Sequence, residues 1–215
     1  DDFFIVPTTR KELEQKGVNV IRYYTHGRRG DIYRGILSIK QKSKKVVIKA
    51  VRSSSAAKHA LDNEIYWLAR VNEAGIGPQL LFSGKGYVVM NFVEGTLVIN
   101  WIQTATALQI VRVLRVLLKQ CFVLDQLGIT KEEMHHPVKH VFIQRGKPVM
   151  IDFERCSGSD KPKNVTQCLE FYCRIISILQ RRGAQLNILS LRQLAATYKH
   201  DKTERTFKKI LEEIW

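Results

Sequence analysis

The residues best suited to chemistry in this sequence are two carboxylates that follow a short apolar stretch. Asp152 comes directly after Pro148-Val-Met-Ile151, a run of residues typical of a buried strand. An acid at the end of such a strand suits Mg²⁺, which prefers carboxylate oxygens together with phosphate oxygens. Glu154 supplies a second carboxylate, either as a metal ligand or as an ion-pair partner of Arg155. The alternative for Asp152 is a structural role as a helix N-cap.

A histidine-rich segment, His135-His-Pro-Val-Lys-His140, precedes these acids. Three histidines in six residues suggest a zinc site, but Pro137 interrupts the helical register between them and the segment contains no cysteine. We therefore reject zinc. His135 is a candidate general base, because imidazole exchanges protons near neutral pH. In the alternative, His136 and His140 only hold the loop through hydrogen bonds to its backbone.

A lysine at the end of a second apolar strand, Val46-Val-Ile-Lys49, is the third candidate. An ammonium group in this position needs either a negatively charged partner or a route along its aliphatic stem to solvent. Glu64 lies in the middle of the predicted helix that follows and is the candidate partner.

Hydrophobic patterns assign these residues to a few predicted elements. Alternation and turn residues predict three antiparallel strands over 18–51, and helical spacing predicts a helix over 55–74 that ends at Gly75. Two more strands are predicted at 78–82 and 86–92. The remainder is predicted to be mostly helical, with helices near 101 and at 106–127, 166–182, 190–199 and 203–214, and with paired strands at 141–143 and 149–151.

This order of residues and elements resembles a protein kinase with substitutions in its catalytic loop. Kinases place a base Asp five residues before a metal-binding Asn, and Asp-Phe-Gly follows. Here the same spacing separates His135 from His140, and Asp152-Phe153-Glu154 follows. Nearly the whole chain is similar to small atypical kinases: the RIO type, the kinase subunit of the tRNA-threonylcarbamoylation complex and, most closely, archaeal-type predicted Ser/Thr kinases.

The resemblance implies an α+β, two-lobed kinase-like fold. Its N-lobe, residues 1–90, would be a five-stranded antiparallel sheet with one helix, joined by a hinge at 91–95 to a reduced helical C-lobe at 96–215. ATP and Mg²⁺ or Mn²⁺ are the implied cofactors. The implied nucleotide-binding residues are Lys49, Glu64, Gly27, Arg28, Gly30, Phe92 and Val93, the metal-site residues are Asp152, Glu154 and His140, and the catalytic residues are His135, Lys139 and Asp152.

Several of these implied roles have simpler alternatives. Gly27 and Gly30 would lie over the phosphates, but glycines equally suit an ordinary turn between strands. Backbone groups of Phe92 and Val93 would bind adenine, unless the segment is only a strand-to-helix connection. Lys139 would neutralise charge on the transferred phosphoryl group. His140 offers nitrogen where Mg²⁺ prefers oxygen, so it is a poor ligand.

The expected function is ATP-dependent phosphoryl transfer to a protein or to the chain itself, or ATP hydrolysis. A pseudokinase that binds nucleotide, RNA or a partner protein is the alternative, because the loop lacks the base Asp and the Asn. A small-molecule kinase is the second alternative. Only about a dozen residues separate Asp152 from the next predicted helix, without an Ala-Pro-Glu motif, so no peptide-docking segment is expected.

The composition sets wider limits. A chain of 215 residues with 45% hydrophobic content can bury a core, and four cysteines without C-x-x-C spacing indicate reduced thiols. The net charge is +15, and the segment from Arg28 to Arg52 has nine basic residues and one acid, which favours RNA or another polyanion, or else a solvated sheet surface. No apolar stretch reaches the ~20 residues of a membrane span, and the acidic start does not resemble a signal peptide, so we expect a cytoplasmic protein without membrane contact.

Overall fold

The computed structural model describes residues 5–26, 30–51, 55–132, 134 and 136–215, which form two compact units. The first unit contains the described chain up to Val93 together with Asp152–Arg155, and the second contains Glu94–Ile151 and Cys156–Trp215. Helices and antiparallel sheets are both present, so the predicted α+β class is confirmed. The sequence predicts a single division of the chain, at residues 91–95. It does not predict that Asp152–Arg155 belongs to the first unit.

An antiparallel sheet of five strands, in the order β1-β2-β3-β5-β4, forms the centre of the first unit. Its elements are α1 (Pro7–Gln15), β1 (Val18–His26), β2 (Gly30–Ile39), β3 (Lys42–Val51), α2 (Ser55–Asn72), β4 (Leu80–Gly84) and β5 (Tyr87–Asn91). The five strands and the helix after the third lie where the alternation predicts them. The prediction omitted α1. The buried residue of this helix is Leu13, so its sequence has little apolar periodicity by which to identify it.

The two faces of this sheet differ in character because alternate residues of a strand point to opposite sides. One face contributes Tyr33, Leu37, Val46, Ile48 and Val89 to a buried core against α1. The residues between them, including Arg34, Lys45 and Lys49, are on the other face.

The second unit is mostly helical. Its elements are β6 (Thr96–Leu97), α3 (Val98–Ile102), α4 (Ala107–Gln126), β7 (Ile129–Lys131), a 3-10 turn (Pro137–Lys139), β8 (Val141–Gln144), β9 (Lys147–Met150), β10 (Cys156–Gly158), α5 (Asn164–Arg174), α6 (Ile176–Arg181), α7 (Ile188–His200) and α8 (Glu204–Glu212). The single helix predicted over 166–182 is wrong, because the helix is interrupted at Ile175. The short strands β6, β7 and β10 were also not predicted.

The long helix α4 organises the core of this unit. A capping box formed by Thr106 and Gln109 fixes its start. Its buried side is a stripe at helical spacing, consisting of Ile110, Val113, Leu114, Leu117, Leu118, Cys121, Leu124 and Asp125. The ring of Phe122 stacks on that of Phe207 in α8, with 4.2 Å between centroids.

A polar group, Asp125, ends this otherwise apolar stripe. One carboxylate oxygen accepts hydrogen bonds from the backbone N–H and the side-chain amide of Asn164, and the other accepts from Val165 N–H and the Tyr198 hydroxyl. Asn164 in turn binds the Ile129 carbonyl and the Lys131 N–H. Burial raises the pKa of Asp125, although these hydrogen bonds lower it. The network fixes the strand β7, which ends four residues before His135.

The prediction of free, buried cysteines is confirmed for all four, Cys121, Cys156, Cys168 and Cys173. Across the described ranges, no helix combines the length and the apolar content that a membrane span requires.

Candidate functional site

The centre of the candidate site is the ammonium group of Lys49 in the middle strand β3. Lys49 is opposite Ile32 of β2 on one side and Val88 of β5 on the other. Because Val46 and Ile48 point into the core, the alternation of the strand places Lys49 on the opposite face. The strand therefore holds the charged group of Lys49 at a fixed position within a hydrogen-bonded sheet.

Helix α2 brings the first carboxylate to this ammonium group. Ala57, Leu61, Leu68 and Val71 form the buried stripe of the helix, and Glu64 falls within the same stripe and is 3% exposed. Its Oε2 accepts a hydrogen bond from Lys49 Nζ at 2.6 Å. The sequence-based pairing of Lys49 with Glu64 is therefore present in the structure.

The ionisation of this pair reflects competition between burial and charge. Burial raises the pKa of Glu64 above its ordinary value, although Lys49 lowers it. Burial alone would lower the pKa of Lys49, but Glu64, Asp152 and Glu154 raise it above its ordinary value. Both shifts arise because several charges share a poorly solvated space, a situation common at functional sites.

The segment Asp152–Arg155 supplies two more carboxylates to the first unit. Asp152 Oδ1 lies 3.9 Å and Glu154 Oε2 lies 3.6 Å from Lys49 Nζ. Asp152 has a φ of 64°, a left-handed conformation that non-glycine residues adopt rarely and that concentrates at functional sites. The conformation is thus consistent with a functional role of this acid, not only with a turn.

Two contacts of α2 and its neighbours hold this segment in place. The ring of Phe153 is buried beside Gly77 and Leu68, since a Cβ built on Gly77 would lie 2.9 Å from the ring. The Asn63 side chain donates to the Glu154 carbonyl at 2.8 Å and accepts from the Trp67 indole at 3.1 Å. Sequence reasoning missed Asn63, although its position next to Glu64 was the available signal.

The three carboxylates Glu64, Asp152 and Glu154 form a group whose oxygens lie within 4.8 Å of one another. The Lys49 ammonium group lies within 4 Å of an oxygen of each of these three acids. Oxygens bound to one Mg²⁺ are separated by about 3–4 Å, given metal–oxygen distances of about 2.1 Å. The donor set and its spacing therefore fit a hard divalent cation after a small inward movement of the side chains.

The predicted phosphate loop is only partly described. Gly27 and Arg28 lie outside the described residues. Gly30 begins β2, where a Cβ would lie 2.5 Å from the Ala50 carbonyl oxygen, so the close approach of β2 to β3 by itself requires glycine. A nucleotide role for Gly30 stays a prediction.

The predicted adenine-binding residues follow β5. The Phe92 N–H donates to the Lys45 carbonyl at 3.1 Å and so continues the sheet. This amide is already engaged, so a hydrogen bond from it to adenine would require the sheet contact to open. The contribution of Val93 stays a prediction.

The predicted catalytic loop belongs to the second unit, and His135 lies outside the described residues. Lys139 is exposed at the end of the 3-10 turn. His140 is half-buried, its N–H donates to the Pro137 carbonyl at 2.9 Å, and its carbonyl accepts from Ile151 N–H at 2.8 Å. The backbone of His140 thus stabilises the loop, while metal binding by His140 and catalysis by Lys139 stay predictions.

No protein-family model matches this sequence, and a search of curated proteins finds no significant match. The kinase-like resemblance therefore depends on the residues and the geometry described above.

Proposed function

We propose that the protein is an ATP-dependent phosphotransferase with a kinase-like fold, acting as an atypical Ser/Thr protein kinase on another protein or on itself. The two compact units would correspond to the two lobes of such an enzyme. The supporting observation is the Lys49 ammonium group, bound at 2.6 Å by buried Glu64 and within 4 Å of two further acids.

Charge explains why this arrangement suits a nucleotide with its metal. Three acids converge on one ammonium group in a poorly solvated space. A divalent cation would bind carboxylate oxygens of Asp152 and Glu154, and Lys49 would remain available to the phosphate oxygens. When bound, Mg²⁺ or Mn²⁺ would supply charge neutralisation for the transferred phosphoryl group. Glu64 would keep Lys49 oriented without contacting the nucleotide.

The pseudokinase alternative is supported by the histidine-rich loop. Residues 135–140 contain no carboxylate, and both backbone groups of His140 hold the loop together. A protein with this loop would bind ATP and the metal but transfer no phosphate. A small-molecule kinase is the second alternative, since α5 begins at Asn164, soon after Asp152.

Calorimetric titration with ATP in the presence of MgCl₂ tests the proposal. Lys49→Ala should weaken ATP binding because it removes the phosphate counter-charge, and Asp152→Ala should weaken it because it removes a metal ligand. Lys44→Ala is the matched control, since it removes the same charge from an exposed position of the same strand. Unchanged ATP affinity in folded Lys49→Ala and Asp152→Ala proteins would contradict the proposed site.

Radiolabelled ATP then distinguishes an enzyme from a pseudokinase. We expect label transfer to the protein itself or to casein with Mg²⁺ or Mn²⁺, and loss of transfer in Asp152→Ala. A protein that binds ATP but transfers no phosphate to these acceptors or to water is a pseudokinase. Transfer to a small hydroxylated metabolite alone would support the second alternative.

A further inference from the structure

The sheet face that bears Lys49 also bears two arginines placed directly opposite each other. Arg22 of β1 pairs with Arg34 of β2 in the strand register, and both side chains are exposed. Side chains of directly opposed residues lie on the same face, and like charges in this position repel. Within the part of the chain that the structure describes, neither arginine pairs with a carboxylate. This positive charge is therefore uncompensated.

Two aromatic rings surround one of these arginines. The Arg34 guanidinium carbon lies 3.6 Å from the ring centroid of Tyr24 and 4.7 Å from that of Phe92. The two rings meet edge to face with 6.3 Å between centroids. Tyr24 remains 50% exposed even though the guanidinium covers part of its ring. Stacking fixes the plane of the Arg34 guanidinium, its N–H donors lie at the edge of that plane, and the residue is exposed.

Uncompensated arginines beside a half-exposed ring match the chemistry of a single-stranded polynucleotide. The phosphates offer charges for the arginines, and the unpaired bases offer flat faces for the ring. An acidic peptide would satisfy only the arginines, and a duplex hides its base faces. The surrounding sequence has the same sign of charge, with nine basic residues and one acid between Arg28 and Arg52.

We propose that the surface formed by Arg22, Tyr24, Arg34 and Phe92, here named the arginine–tyrosine face, binds single-stranded polynucleotide. Phosphates bind Arg22 and Arg34, and a base stacks on Tyr24. This binding does not depend on the phosphotransferase proposal, because it uses neither Lys49 nor the three acids and shares only Phe92 with the predicted nucleotide-binding residues. Its success or failure is therefore separate from that of the nucleotide site.

Fluorescence anisotropy with labelled 20-nucleotide single strands of RNA and of DNA, and with the corresponding duplex, tests the face on the full chain. Arg22→Gln with Arg34→Gln should weaken single-strand binding at least tenfold and reduce the slope of log K against log salt by about 1.4. Tyr24→Ala should weaken it about fivefold or more with the slope unchanged, because stacking releases no counterions. Lys208→Gln with Lys209→Gln, an equal charge loss at exposed positions of α8, should change affinity less than threefold.

Four outcomes would overturn the proposal. Equal losses in the two double variants, or displacement of the single strand by polyglutamate at equal charge concentration, would reduce the effect to nonspecific charge. An unaltered affinity in Tyr24→Ala would show that no base stacks on this ring. If ATP displaces the single strand from the wild-type protein but not from Lys49→Ala, the face belongs to the nucleotide site. If the arginine double variant does not fold, Arg22→Gln alone should still weaken binding.

Tighter binding of RNA than of DNA would indicate contacts to the 2′-hydroxyl groups, and equal binding would indicate backbone and ring contacts alone.

Discussion

Replacing Lys49 by Gln should destabilise the protein far more than replacing Glu64 by Gln, although the two residues form one ion pair. Without the ammonium group, Glu64 and the two acids of the 152–155 segment still lie within 4.8 Å of one another, but they lose the cation that lies within 4 Å of all three. Without the Glu64 charge, Lys49 keeps acidic partners at 3.6 Å and 3.9 Å, and the repulsion among the acids decreases.

The distances give the expected magnitude. At an effective dielectric constant of about 20, Coulomb attraction amounts to roughly 6 kcal/mol for the closest pair and roughly 4–5 kcal/mol for each of the other two. Desolvation offsets most of this, and solvent screens the contribution of Asp152, whose side chain is 33% exposed. Removing one partner of a buried pair typically costs about 3–5 kcal/mol. We therefore expect a loss of about 3 kcal/mol for Lys49→Gln and of less than about 1 kcal/mol for Glu64→Gln.

The deficit of Lys49→Gln should also depend on pH. Burial raises the pKa of Glu64 although Lys49 lowers it, so removing Lys49 raises this pKa further. A carboxyl whose pKa is higher in the folded than in the unfolded state favours folding when it is protonated. This contribution is complete below the unfolded pKa near 4.5 and is lost as the pH rises through the folded pKa. The deficit should accordingly be larger at pH 7.5 than at pH 5.

Urea denaturation followed by tryptophan fluorescence at pH 7.5 and pH 5.0 measures these differences, and Trp67 lies beside the segment that carries two of the acids. Lys44→Gln, an exposed lysine on the same strand, is the control and should change the unfolding free energy by less than about 0.5 kcal/mol. MgCl₂ should restore part of the stability of Lys49→Gln, because a bound cation replaces the missing charge. Equal destabilisation by the Lys49 and Glu64 substitutions, or a Lys49→Gln deficit that does not change with pH, would refute the reasoning.

Three further predictions concern other parts of the chain. Gly77→Ala should destabilise the protein by about 2–4 kcal/mol, because it forces φ near 82° on a residue with a Cβ and places a methyl group 2.9 Å from a buried phenylalanine ring. Gly75→Ala, with φ of 70° but open space, should cost only about 1–2 kcal/mol in the same urea titration. Tyr198→Phe should cost about 1 kcal/mol, because it removes one of several hydrogen bonds to buried Asp125; an unchanged urea midpoint would exclude a contribution from this hydroxyl. If phosphate is transferred, its rate should rise between about pH 5.5 and 7.5 and fall in His135→Ala without a loss of ATP affinity, whereas a pH-independent rate would exclude the imidazole as the base.

The elements that carry the candidate site were predictable because strong local patterns specify them. Alternation identified β3 and placed Lys49 at its end, and the helical stripe of α2 placed Glu64 on its buried side. The pairing of the two then followed from the need of a half-buried ammonium group for a counter-charge. The approach of Asp152 was predictable only through the resemblance, since about a hundred residues separate it from Lys49 along the chain.

The arginine–tyrosine face was not predictable, because irregular strand pairing creates it. The β1–β2 register shifts between Asn19 and Arg22 and again between Tyr23 and Thr25. Each such irregularity changes which residues face which side, so counting by two from the core residues of β1 gives the wrong face. The two-residue and three-residue strands of the second unit are similarly too short to produce a measurable alternation.

The return of Asp152–Arg155 to the first unit has a consequence for how the chain folds during synthesis. When residues up to Val93 have left the ribosome, the sheet and α2 are complete, but the ring that covers Gly77 and Leu68 is still about sixty residues away. The nascent unit therefore exposes the apolar surface that Phe153 later covers, and Lys49 has only Glu64 of the three acids that surround it in the folded protein. Synthesis of the intervening helices must finish before this surface closes, and over that interval the half-made chain is open to chaperones and to aggregation.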